Sequence, residues 1–486
     1  MKTKLPTLIL ALFSFVAYSQ TTYVPDNNFE AYLEANGMGD GVANNDYVTT
    51  ANISSVTNLD VHSNFISDMT GIEDFASLQI LDCSSNNLIA LNLLNNTALT
   101  EIKCFNNNIG NGGNNLILPN NNILTYLNCG DNNLSGLNVS AYPLLDYLAC
   151  YNNASNLGAL DFSLNPNLRE LYCHNSGVSS LNISQNVLLE KLWCYGNSLT
   201  SLNITPLTAL TELICYTNGL NNFTYSNNTS LIYLDCGDNP IGSLNASMFP
   251  NIETLYCYYD NLSSLDVSSN NSLISLDCGG NTSINSLPLP NTKTNLVNLW
   301  AYEMNLSTLS YDEYTQLQKL DIGINNFTSA DVSMLPNLTQ FYCNQNQLTS
   351  LNIANGNIDN LAWMWAQDNS TGLCIQVDDL AKATAKSSPN WQRDSGSTFS
   401  LNCSLGTDDF NLSSVSIYPN PFNDKFYVNV KLEANYTLTN MLGQKVNRGI
   451  LNTGINELAT NTLVSGLYLL NIQTTEGFST KKLIKE

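Results

Sequence analysis

One spelling recurs along this chain and limits what it can fold into: apolar-x-x-apolar-x-Cys-x-x-Asn-x-apolar. It stands at Leu189, Leu192, Cys194, Asn197 and Leu199, then at Leu210, Leu213, Cys215, Asn218 and Leu220, then at Leu231, Leu234, Cys236, Asn239 and Ile241. With the Cys slot as marker there are fifteen copies, at Val61, Cys83, Cys104, Cys129, Cys150, Cys173, Cys194, Cys215, Cys236, Cys257, Cys278, Ala301, Ile322, Cys343 and Ala366. Nine of the fourteen intervals are 21 residues and the rest are 22, 23 or 25. A fixed period of that length specifies a solenoid, in which each repeat packs only against its neighbours.

Within a repeat, the alternation around the Cys slot spells a short strand, with Leu and Cys on one face and variable residues on the other. One strand per repeat builds a long parallel sheet, and fifteen strands at about 4.8 Å span roughly 70 Å. The position three residues after the Cys slot is Asn in twelve copies, the exceptions being Ser176, Asp260 and Met304. A buried Asn offers donors and an acceptor for backbone groups where the chain leaves the strand. The second half of each repeat, such as Leu181-Asn182-Ile183-Ser184, forms the opposite wall. It is too short for a long helix.

The spelling resembles the leucine-rich repeat, and the 21-residue length with Cys in the third apolar slot is similar to internalin-like bacterial surface proteins. The resemblance covers about residues 48–373. It implies a horseshoe solenoid with a parallel sheet on the concave side and a short non-helical convex side.

Eleven of the thirteen cysteines occupy the core-facing slot of successive strands, where a thiol packs as a small apolar group. Ligands strung along a line do not surround a metal, so no metal site is expected. Cys374 and Cys403 stand outside this ladder and are expected to pair, which in the chain-entropy model contributes roughly 3.6 kcal/mol.

Residues 1–19 read as a signal peptide: Lys2 and Lys4, an apolar run, then Ala17-Tyr18-Ser19 as the cleavage site. Residues 20–47 read as an N-terminal cap whose helix starts at Pro25 and Asp26, buries Phe29, Tyr32 and Leu33, and stops at Gly37. The oxygen-rich stretch from Gly39 to Asp46 lacks EF-hand spacing and reads as a turn rather than a calcium loop. Residues 110–115 should bulge on the returning side. Residues 374–405, with Trp391, are expected to close the far end, and 406–414 to form a polar linker.

From residue 415 the repeat is gone and short alternating strands suggest a small β-sandwich. Tyr418-Pro419-Asn420-Pro421, the Asn440–Gln444 segment, Gly466-Leu467-Tyr468 with the leucines after it, and a basic C-terminus resemble the C-terminal sorting domain of the Bacteroidetes type IX secretion system. This resemblance implies export across the outer membrane by that machinery, with release or attachment at the cell surface.

The net charge is −23, and residues 409–486 are nearly balanced, so the negative surplus lies on the repeats. That argues against nucleic acid and anionic lipid as partners. No segment beyond the leader is long and apolar enough to span a membrane as a helix. Catalysis needs convergent polar groups, but the two histidines, His62 and His174, lie five repeats apart and no catalytic motif is present. The chain is read as a non-enzyme without cofactors.

The variable strand face carries aromatics. Before the Cys slot stand Tyr172, Trp193, Asp235, Tyr256, Trp300, Tyr342 and Trp365; after it stand Tyr195, Tyr216, Tyr258 and Tyr302, with Tyr259 next in line. A contiguous aromatic patch marks a contact surface, although such rings also fit pleated surfaces by stacking on one another. The expectation is a concave face holding a protein or polysaccharide ligand, flanked by Glu170, Glu212, Asp235, Asp260 and Glu303. The rival expectation is an adhesion or surface-layer spacer without a discrete ligand.

Overall fold

The computed structural model describes residues 20–403 and 415–486, apart from 112, 114, 115, 154, 155, 387, 442, 443 and 474–477. The leader at 1–19, the linker at 406–414 and parts of the 110–115 and Asn440–Gln444 segments therefore lie outside the described residues. The chain divides into two compact units. One comprises Met1–Gln347, Asn355–Asn369 and Lys386–Asp394; the other comprises Leu348–Ala354, Ser370–Ala385 and Ser395–Glu486.

The first unit is a parallel β-solenoid built on one 16-stranded sheet, running from Asn58–Asp60 to Trp391–Gln392. Register is kept without slip: Leu171 pairs with Leu192, Leu192 with Leu213 and Leu213 with Leu234. The sequence pattern counted fifteen strands, and the sixteenth comes from the segment expected only to cap the end. Trp391 pairs with Met364, is 5% exposed, and donates its Nε1–H to the Leu361 carbonyl at 3.1 Å.

Leu and Cys line the core. All eleven ladder cysteines are free and buried. Burial raises every one of these thiols, Cys129 and Cys173 to about 12, so they stay protonated and inert. After each Cys strand the chain turns through a left-handed residue, for example Ser85, Asn106, Asp131, Thr217 and Gln345 at φ 49–55°. Small polar residues tolerate that conformation best.

The Asn slot does what its chemistry allows. Asn86 donates Nδ2 to the Val61 and Cys83 carbonyls at 2.9 and 3.1 Å, and its Oδ1 accepts from the amides of Asn64 and Ile66 at 3.1 and 3.0 Å. Ser176 fills the slot by donating to the Cys150 carbonyl at 2.9 Å. A second ladder on the returning side escaped the sequence reading. Asn96, Asn165, Asn186, Asn228 and Asn270, three residues before the next repeat's first Leu, are at most 1% exposed. Asn270, for instance, donates to the carbonyls of Ala246 and Phe249, both at 3.0 Å. The returning side otherwise holds strands of two to five residues and two 3₁₀ turns, Ile72–Asp74 and Ala246–Met248.

At the N-terminus a helix spans Asn27–Ala35, capped by Asp26, whose Oδ1 accepts from the Asn28 and Phe29 amides. Phe29 and Leu33 are buried, as expected, whereas Tyr32 is half-buried. Glu30, 1% exposed, and Glu34 accept backbone amides from the 40–46 turn. Carboxylates thus hold this turn through its donors.

In the second unit, the strands Ser350–Asn352, Cys374–Gln376 and Thr398–Ser400 pair in parallel, and a disulfide joins Cys374 to Cys403 with Cα atoms 5.7 Å apart. Residues 415–486 form two antiparallel sheets. Phe422, Phe426, Val428, Leu438, Leu451, Tyr468, Leu470 and Ile472 make up their core.

Candidate binding face

Because strand residues alternate, each repeat sets three side chains on the open face of the long sheet: the first strand residue, the one before the Cys slot and the one after it. The sequence reading followed the last two columns. The first column adds Tyr126, Tyr147 and Tyr233 to the expected Trp363. The missed signal was the alternation itself, extended one step further toward the N-terminus of each strand.

Ten of the twelve expected contact residues, Tyr172, Trp193, Tyr195, Tyr216, Tyr256, Tyr258, Trp300, Tyr302, Tyr342 and Trp365, are half-buried on this face, and Tyr259 is exposed. Asp235 departs from expectation. It is 7% exposed, its Oδ1 accepts the Gly237 amide at 3.3 Å, and burial lifts its carboxyl to about 6. It points to the open face but is covered there by its neighbours.

The flanking acids are also committed. Tyr172 donates to Glu170 at 2.6 Å, Trp193 Nε1 to Glu212 at 2.7 Å, and Tyr259 to Glu303 at 2.6 Å. Asp260 is fully buried in the Asn ladder, where it accepts the Asn239 amide at 3.0 Å, and burial pushes its carboxyl to about 8.

The face divides into two zones. From Tyr126 to Tyr216 the rings spend their surfaces on one another. Tyr126 and Tyr147 stack at 4.2 Å, and Tyr151, His174, Tyr195 and Tyr216 form a continuous stack at 4.8, 4.4 and 4.5 Å. Burial lowers His174 to about 4, so it sits in this stack as a neutral ring.

From Asp235 to Trp365 acids and rings alternate instead: Asp235, Tyr256, Asp277, Trp300, Asp321, Tyr342. Asp277 and Asp321, like Asp235, accept the amide of a glycine two residues on, at 3.1 and 2.9 Å, and burial holds each at about 6. An Asp-x-Gly triplet in every second repeat was the sequence signal for these two acids. A cavity of about 210 Å³ opens in this zone between Tyr302, Tyr342 and Trp365. Larger cavities, of about 350, 310 and 240 Å³, lie on the returning side. Among the described residues no three or more His, Cys, Asp or Glu gather as for a metal.

In the sorting motif, Asn420 brackets the basic terminal strand. Its Oδ1 accepts the Ile484 amide and its Nδ2 donates to the Lys482 carbonyl, both at 2.9 Å. Tyr418 is exposed, while Tyr468 is buried and donates to the Val464 carbonyl at 2.8 Å.

Residues 416–486 match the family described as the secretion system C-terminal sorting domain. Over 92 residues the chain is 33% identical to internalin J of Listeria monocytogenes serotype 4b (strain F2365), covering 19% of this chain and only 10% of that protein. Among solved structures, the functional domain of InlJ from Listeria monocytogenes, which includes a cysteine ladder, aligns with TM-score 0.63 and 25% identity over 96% of this chain and 99% of that chain. Among the described residues no helix is long and apolar enough to cross a membrane. The chain is an internalin-like leucine-rich-repeat solenoid with a cysteine ladder, carrying a type IX sorting domain that directs it to the cell surface or the extracellular space.

Proposed function

We propose that the protein is a binding protein of the cell surface or surroundings, and that it holds a protein ligand on the open face of its long sheet between Asp235 and Trp365. The alternation of half-buried rings with carboxylates in that zone carries the reading. Half-buried aromatic rings act as anchors in protein interfaces, and interspersed acids select basic partners. The stacked zone from Tyr126 to Tyr216 serves as a rigid flank, since rings within it lie face to face, whereas those of the second zone meet edge to face. Polysaccharide is the second ligand class, favoured by the indole and phenol planes of Trp300 and Tyr342, which suit sugar rings.

The test compares the full chain with a Trp300→Ala/Tyr342→Ala/Trp365→Ala variant on a glycan array and in capture of surface proteins. Saturable binding lost in the variant supports the proposal, and the array shows which class is held. Equal behaviour of both proteins would leave the spacer reading in its place.

A further inference from the structure

Along the column that follows the Cys slot, the second half of the face reads Gly237, Tyr258, Gly279, Tyr302, Gly323, Asn344. In the first two pairs the tyrosine lies on the glycine of the repeat before it. A Cβ on Gly237 would meet the Tyr258 ring at 2.5 Å, and one on Gly279 would meet Tyr302 at 2.3 Å. The third pair breaks the pattern. Asn344 lays its smaller amide against Gly323, its Oδ1 3.1 Å from where a Cβ would stand, and a cavity of about 210 Å³ opens beside it. Its walls are Tyr302, Tyr342 and Trp365, the last two 5.1 Å apart at 72°, and Asp321 lines it as well.

We propose that this cavity receives an arginine side chain from a protein partner, its flat guanidinium lying between the aromatic walls beside the Asn344 amide and the Asp321 carboxylate. The inference rests on the reading of this face as a recognition surface, and it names the group recognised.

Four observations select arginine. The cavity opens where the column carries the short Asn344 amide instead of the tyrosine ring of the two preceding pairs. Aromatic rings on several sides attract a cation, and a guanidinium stacks on them where an ammonium cannot. Asp321 lines the cavity with one oxygen on the Gly323 amide at 2.9 Å. Neighbouring Lys319 points instead over the Trp300 ring, at 5.8 Å, so a cation already rests on an aromatic of this face.

The rim adds a further sign. Ile324 holds the left-handed turn position at φ 54°, where every other repeat places a polar residue, a tyrosine or a glycine, and it is 39% exposed beside the cavity. A β-branched residue is strained there. Its apolar side chain gives the methylene stem of an arginine a surface to lie on.

The test uses the full chain labelled with fluorotryptophan, the Trp365 fluorine signal being assigned through a Trp365→Phe variant. The probes are the peptide Gly-Gly-Arg-Gly-Gly and its neutral isostere with citrulline in place of arginine. The arginine peptide is expected to shift the Trp365 signal saturably, with the citrulline peptide weaker by about tenfold or more. Asn344→Tyr, which supplies the missing ring, and Asp321→Asn should each weaken the response by about tenfold or more while the other tryptophan signals stay in place.

Equal responses to the two peptides, or an Asn344→Tyr protein that still binds arginine with its other signals unmoved, would overturn the proposal. Its failure is separable from that of the wider reading. Loss of surface binding in the Trp300/Tyr342/Trp365 variant without any arginine response removes this pocket alone.

Discussion

Asp260 replaces Asn in a ladder whose buried Asn members donate to two carbonyls or more. A buried carboxyl can do so only while protonated, and then once. Its pKa of about 8, against 3.8 for an ordinary aspartate, means that ionisation inside the ladder destabilises the fold progressively as pH rises from about 4 through about 8. Asp260→Asn should therefore raise stability by about 1–3 kcal/mol, with the gain larger at about pH 9 than at about pH 6, as read by denaturant unfolding. The reverse change shows what a ladder Asn contributes. Asn239→Ala strips donors from the Cys215 and Cys236 carbonyls and the acceptor from the Leu220 amide, so a loss of about 3 kcal/mol or more is expected.

At the scale of elements, the strand face is more tightly packed than alternation alone suggests. Side chains that point away from the core would ordinarily tolerate truncation at less than about 0.5 kcal/mol each. Here Tyr195 lies between His174 and Tyr216, and Tyr258 covers Gly237, so their removal uncovers neighbours as well. Replacing Trp193, Tyr195, Tyr216, Tyr256 and Tyr258 together by Ala should lower the melting temperature, at about 0.5–1.5 kcal/mol per lost ring pair beyond area burial. It should not unfold whole repeats, as truncating core residues such as Leu213 would. The cysteine ladder gives the complementary check. Native alkylation followed by peptide mapping should leave the eleven ladder thiols unlabelled, because each is buried and protonated.

For the whole molecule, the buried acids set an uncommon pH profile. Asp235, Asp277 and Asp321 at about 6 and Asp260 at about 8 all bind protons more tightly folded than unfolded, so stability falls as pH rises through these values. Asp161 and Asp266 are lowered by hydrogen bonds from Ser163 and Ser268, and their contribution is lost on the acid side. The melting temperature should thus be highest near about pH 5 and lower at about pH 8; a maximum at or above pH 8 would contradict the burial of these acids. Net charge of −23 acts in the same direction, since protonation relieves repulsion. Deleting residues 415–486 should leave the repeats folded, as circular dichroism would show, while the protein stays behind the outer membrane, because solenoid repeats draw stability from their neighbours.

The period and the Leu, Cys and Asn slots determined the solenoid, the inward cysteines and the side of the sheet that faces out, because strand alternation and the needs of buried backbone groups are local rules. The sorting motifs were legible for the same reason: each is a short stretch of chain. Tertiary structure alone decided what the outward residues do. Whether Tyr195 is free or stacked depends on rings one repeat away, and Asp235 is hidden because neighbouring side chains cover it. The strand at Trp391 joins the sheet although it carries no repeat spelling, because an open sheet edge accepts any extended backbone that reaches it. The cavity beside Gly323 opens where the column carries Asn344 in place of a tyrosine, and that change shows only when successive repeats are laid side by side.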